Sequence, residues 1–100
     1  WESLEKLKIS EQDIINAVCL HSADQKRMRP EEIEVELMFD DENYGFSAEI
    51  FFNGRNQIIT HRDLIEAIRF WMKETLNLNP YMGIELKLDD QEGIIAYVNQ

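Results

Sequence analysis

The chain repeats its own pattern at a distance of 50 residues, and this self-similarity constrains the fold more than any other feature of the sequence. Residues 9–30, ISEQDIINAVCLHSADQKRMRP, align without a gap over residues 59–80, ITHRDLIEAIRFWMKETLNLNP. Ile9 meets Ile59, Asp13 Asp63, Ile15 Ile65, Ala17 Ala67 and Pro30 Pro80, and Ser10/Thr60, Ile14/Leu64 and Val18/Ile68 are physically alike. Shared amphipathic patterning reproduces some of the apolar matches, whereas the matched caps and prolines are harder to obtain by chance. The expectation is a structural duplication with halves at about residues 7–53 and 57–98. Both halves belong to a single domain over residues 1–100, because a chain of 100 residues has core material for one domain. Residues 1–5 read as a loose terminus.

Each copy opens with a helix. Ser10 and Thr60 stand at N-caps with Asp13 and Asp63 three residues on, the spacing of a capping box. Ile14, Ala17, Val18 and His21, and likewise Leu64, Ala67, Ile68 and Trp71, fall at i, i+3, i+4, i+7 and place one stripe on a core. Pro30 and Pro80 push their preceding residues toward extended geometry, so each helix ends before them.

Strand signals follow each proline. Ile33, Val35, Leu37 and Phe39 alternate with Glu32, Glu34, Glu36 and Met38; residues 40–45 carry turn chemistry; and Phe46, Ala48, Ile50 and Phe52 return. In the second copy Ile84, Leu86 and Leu88 alternate with Glu85 and Lys87, residues 89–93 turn the chain, and residues 94–98 come back. Short strands at residues 7–9 and 57–59 would precede the helices. The fold class is therefore α+β: a two-layer α-β-β-α-β-β domain with a mostly antiparallel sheet and both helices on one face.

Charge narrows the function. Twenty acids against ten bases give a net charge of −10, which repels phosphate backbones and anionic membranes. The one basic cluster, Lys26, Arg27 and Arg29, is followed at once by acids, so neither nucleic acid nor membrane is an expected partner. One cysteine cannot staple the chain internally, and together with the absence of a long apolar run this points to the cytoplasm.

Few residues offer chemistry. The acidic turns Asp40-Asp41 and Asp89-Asp90 with Glu92 are weak metal candidates, since hard cations take clustered carboxylates but Asp also serves ordinary turns. Cys19 and His21 lie about 200° apart around a helix and cannot share a site. His21 occupies the place of Trp71 and reads as a core histidine, His61 as exposed in a first helical turn, and Cys19 as a small, partly buried apolar residue. No catalytic, nucleotide-binding or cofactor motif is present, so no cofactor and no catalytic residue is assigned.

Apolar residues off the core faces are more informative. Met38, Phe51, Ile95 and Tyr97 run out of phase with the inward residues and would form an apolar island on the free face of the sheet, with Glu32, Glu34, Glu36 and Glu49 around it. The expected function is a non-enzymatic protein–protein interaction module that self-associates as a homodimer. The alternative is a small-molecule or divalent-cation binding protein, or an enzyme without a recognisable motif.

The stretches DIINAVCLH, EIEVELMFDDENYGFSAEIFFNGR and LDDQEGIIAYV resemble the YxcD-like family of short uncharacterised proteins from Bacillus and its relatives, over about Leu7 to Val98. The resemblance implies a bacterial cytosolic setting and supplies no activity, cofactor or site residue.

Overall fold

The computed structural model describes residues 6–42 and 45–99. Residues 1–5, read above as a loose terminus, and Asn43, Tyr44 and Gln100 lie outside the described residues.

The elements run β1 (Lys6–Ile9), α1 (Glu11–Lys26), a 3₁₀ turn (Pro30–Glu32), β2 (Glu34–Asp40), β3 (Gly45–Phe52) and β4 (Arg55–Ile59). They continue with α2 (His61–Trp71), a π-helical turn (Met72–Leu76), β5 (Ile84–Asp89) and β6 (Gly93–Asn99). The α+β class and the antiparallel pairing are as the alternation of apolar residues predicts. Both short strands before the helices exist, and they decide the topology.

The strands form two three-stranded antiparallel sheets, β2-β3-β4 and β5-β6-β1, in place of the single sheet expected. Each hairpin takes its third strand from the other half of the chain: Ile59 of β4 lies opposite Ala48 of β3, and Ile9 of β1 lies opposite Ala96 of β6. The matched isoleucines thus occupy matching places. No local pattern reveals this exchange, because periodicity reports which face a residue takes and not which strand lies beside it.

One core joins everything. Ile9, Ile14, Val18, Ile50, Leu64, Ile68, Met72 and Val98 are at most 1% exposed and belong to a single cluster lined by both helices and the inner faces of both sheets. α1 packs on α2 and touches both sheets through β2 and β6, while α2 lies on β3 and β4.

The helix ends correspond as well. The Ser10 hydroxyl accepts from the Asp13 N–H at 3.2 Å, whereas Thr60 occupies the same cap position without a side-chain hydrogen bond. Arg27 and Asn77, again 50 apart, end the two helical segments in the left-handed region at φ 57° and 56°. The Met28 N–H then closes on the Ala23 carbonyl and the Leu78 N–H on the Met72 carbonyl, the second loop being wider by one residue because of the π turn.

Candidate functional site

The outward residues of β2, β3 and β4 are fixed by register. Glu34 lies opposite Phe51, Glu36 opposite Glu49, and Met38 opposite Ser47; across the other seam Phe51 faces Asn56 and Glu49 faces Ile58. Phe51 and Ile58 are 38% and 52% exposed, an unusual position for two large apolar side chains on adjacent strands. Glu49, at the centre, accepts from Asn56 Nδ2 at 2.7 Å. The face is therefore apolar at Met38, Phe51 and Ile58 and anionic between them.

The expected four-residue island is not formed. Ile95 and Tyr97 belong to the other sheet, and Ile95 is only 1% exposed. β6 is a central strand: Ile95 has Lys87 opposite, and the first turn of α1 crosses the strand's beginning, where the Glu11 carboxylate accepts from the Ile94 N–H at 3.0 Å. A central strand is shielded from both sides, which an alternation count cannot register, and so Ile95 is removed as an anchor. Tyr97 remains half-buried beneath Lys6, whose Nζ sits 5.8 Å from the ring centroid. This second outer face carries Lys6, Lys8 and Lys87, tied in part by Lys8–Glu92 at 2.7 Å and Lys6–Glu85 at 4.0 Å. The two outer faces thus differ, one carrying glutamates with apolar residues and the other lysines of which two are paired with Glu85 and Glu92.

The acidic turns are built for turning. One Asp89 oxygen accepts from the Glu92 N–H at 2.8 Å and the Gln91 N–H at 2.9 Å. These bonds, the Glu92 one foremost, hold its carboxyl below the ordinary carboxylate range, with Lys8 adding to the effect. Asp40 accepts from the Glu42 N–H at 3.0 Å in the same manner, while Asp41 and Asp90 are exposed. Glu92 is engaged by Lys8, an arrangement that also raises the Lys8 pKa. Among the described residues no group of three or more histidine, cysteine or acidic side chains is placed to hold a metal ion.

The lone nucleophile and bases stand apart. His21 is half-buried with its ring 5.3 Å from that of Phe70, and His61 is exposed 6.5 Å from the Phe46 ring. Cys19 is half-buried, its Sγ 3.5 Å from the Ile33 carbonyl, and burial pushes its thiol pKa up, away from the reactive thiolate. Cys19 also forms part of an open groove of about 730 Å³ between α1 and β2, with Ile15, Val35 and Phe51. Sequence patterning missed this groove: Cys19 falls opposite Arg69 in the 50-residue alignment, but many other columns are equally unlike.

Two helices on a pair of strand-exchanged antiparallel sheets, with exposed apolar side chains among glutamates, define a small α+β protein whose distinctive features are surfaces. The chain belongs to the family described as Protein of unknown function (DUF2653), whose model matches residues 4–91. It is similar to the uncharacterized protein YxcD of Bacillus subtilis (strain 168), with 29% identity over 94 residues, covering 93% of this chain and 92% of that protein. The resemblance to the YxcD-like family is therefore shown across nearly the whole chain. No solved structure matches the chain. Among the described residues no helix is long and apolar enough to cross a membrane.

Proposed function

We propose that this protein is a cytoplasmic, non-enzymatic interaction module that self-associates through the outer face of the β2-β3-β4 sheet, and that its two halves arose by duplication. The observation that carries the first part is the exposed pair Phe51 and Ile58, framed by Glu34, Glu36 and Glu49. Glutamates facing glutamates would repel, so the complementary surface in a second copy is the lysine-bearing outer face of the other sheet, and a reciprocal pair of such contacts closes a two-fold dimer. The duplication rests on the matching registers of β1 and β4 and on the paired left-handed helix ends.

Light scattering in line with size exclusion tests the association. The wild-type chain is expected to run as a dimer at tens of micromolar and to weaken as salt rises. Phe51→Asp and Ile58→Asp are expected to give folded monomers, and a wild-type monomer at that concentration would overturn the reading.

A further inference from the structure

The two halves place a helix beside an edge strand in the same way, and the space left at the junction differs, about 730 Å³ beside Cys19 against about 240 Å³ beside Arg69. In the second half Arg69 lies along the junction, and its Nη1 donates to the carbonyl oxygens of Pro80 and Met82, the latter at 2.9 Å. In the first half the corresponding residue is Cys19, fifty positions earlier, which reaches the Ile33 carbonyl only through the long thiol contact. The two carbonyls correspond: Ile33 precedes Val35 by two residues as Met82 precedes Ile84, and Val35 and Ile84 pair with Ile50 and Val98. Replacing a guanidinium by a thiol leaves the open groove beside β2, an edge strand hydrogen-bonded only to β3. Its rim carries Glu31, Glu34 and Glu36, none of which has an ion-pair partner among the described residues.

We propose that this groove receives an extended, arginine-bearing segment of a partner protein, laid along the free edge of β2 with one guanidinium over Cys19. The molecule supplies the template, since Arg69 shows which group fits the equivalent position and what it bonds. Charge complementarity supplies the selection: the guanidinium would meet the Ile33 carbonyl and the rim glutamates, while Ile15, Val35 and Phe51 take an apolar neighbour on the segment. Arginine is preferred to lysine because a planar fork can serve a carbonyl and a carboxylate together. The groove shares Phe51, Glu34 and Glu36 with the proposed association face but does not include Ile58, so the peptide titration is repeated on the Ile58→Asp chain, where the groove is open to peptide alone.

The probe is the blocked pentapeptide acetyl-Val-Arg-Val-Arg-Val-amide, titrated into the full chain and followed by amide NMR shifts, with its lysine and glutamate counterparts as comparisons. Saturable shifts are expected at residues 15–19 and 31–36, with the lysine peptide about tenfold weaker and the glutamate peptide inert. Cys19→Arg should fill the groove from within and weaken the arginine peptide by about tenfold or more without lowering the melting temperature, whereas Cys19→Ser should leave binding intact. Should Cys19→Arg not fold, the exposed pair Glu34→Lys and Glu36→Lys takes its place and must abolish binding. Absence of saturable shifts at residues 31–36, or unchanged affinity in the blocking variant, overturns the proposal. Shifts at Ile15 and Cys19 on α1, outside the association face, that follow protein concentration without peptide would assign the groove to a second copy and overturn it equally. Light scattering on Ile58→Asp reads the self-association separately.

Discussion

Arg69 and Cys19 occupy equivalent places in the two halves, one bonded to the carbonyls of Pro80 and Met82 and the other leaving an open groove. The rest of the two frames corresponds closely, from the isoleucine that starts each exchanged strand pairing to the left-handed residue that ends each helical segment. The junction that Arg69 bridges keeps about 240 Å³ of open space, a third of the volume beside Cys19. The charges differ in the same sense: residues 31–49 carry eight acids and no base, whereas β1 is tied to β5 and the turn after it by Lys6–Glu85 and Lys8–Glu92.

The strongest way to break this comparison is to remove the plug. Arg69→Cys strips two charge-assisted hydrogen bonds and is expected to cost about 2–3 kcal/mol, read as a lower urea midpoint with an unchanged slope. A loss within a few tenths of a kcal/mol would mean that Arg69 rests on those carbonyls without holding them. The helix caps give a smaller contrast. Ser10→Ala should cost about 1 kcal/mol because Ser10 satisfies the Asp13 N–H, whereas Thr60→Ala should cost only a few tenths because Thr60 bonds nothing there. Equal losses in the two variants would erase the asymmetry.

The smallest effect concerns pH and the second hairpin. The folded Asp89 carboxyl titrates below its unfolded value, chiefly because of the Glu92 and Gln91 N–H groups. Its contribution to stability is complete above the ordinary aspartate range and disappears as the pH falls through the lowered folded value. Asp89→Asn should flatten that part of the acid dependence of the unfolding midpoint. An acid limb identical to wild type would exclude Asp89 as its source.

Much of the local structure was legible in the sequence. The prolines, the capping serine and the two periodicities locate both helices and both hairpins, and the 50-residue alignment matches Ile9 with Ile59, which then open equivalent pairings. Strand order was not legible, because a strand's face is encoded in its own alternation and its neighbour is chosen by distant packing. Ile95 illustrates the consequence: read as an exposed outward residue, it is only 1% exposed on β6, the central strand of the other sheet. The groove was not legible, because Cys19 opposite Arg69 is one of many unlike columns in the alignment and nothing in the sequence sets it apart.

The exchange of strands also bears on how the molecule is assembled. Among the described residues β1 pairs with β6 alone, at the opposite end of the described chain, so closing that sheet requires a loop spanning both helices and the entire other sheet. Neither half can complete its own three strands, and a half-made chain has one hairpin with an unsatisfied edge and a leading strand with nothing to pair. Folding must therefore wait for nearly the whole sequence and then proceed as one event, with the slow kinetics of a high-contact-order topology and a vulnerable interval in which a second nascent chain offers the same missing strand.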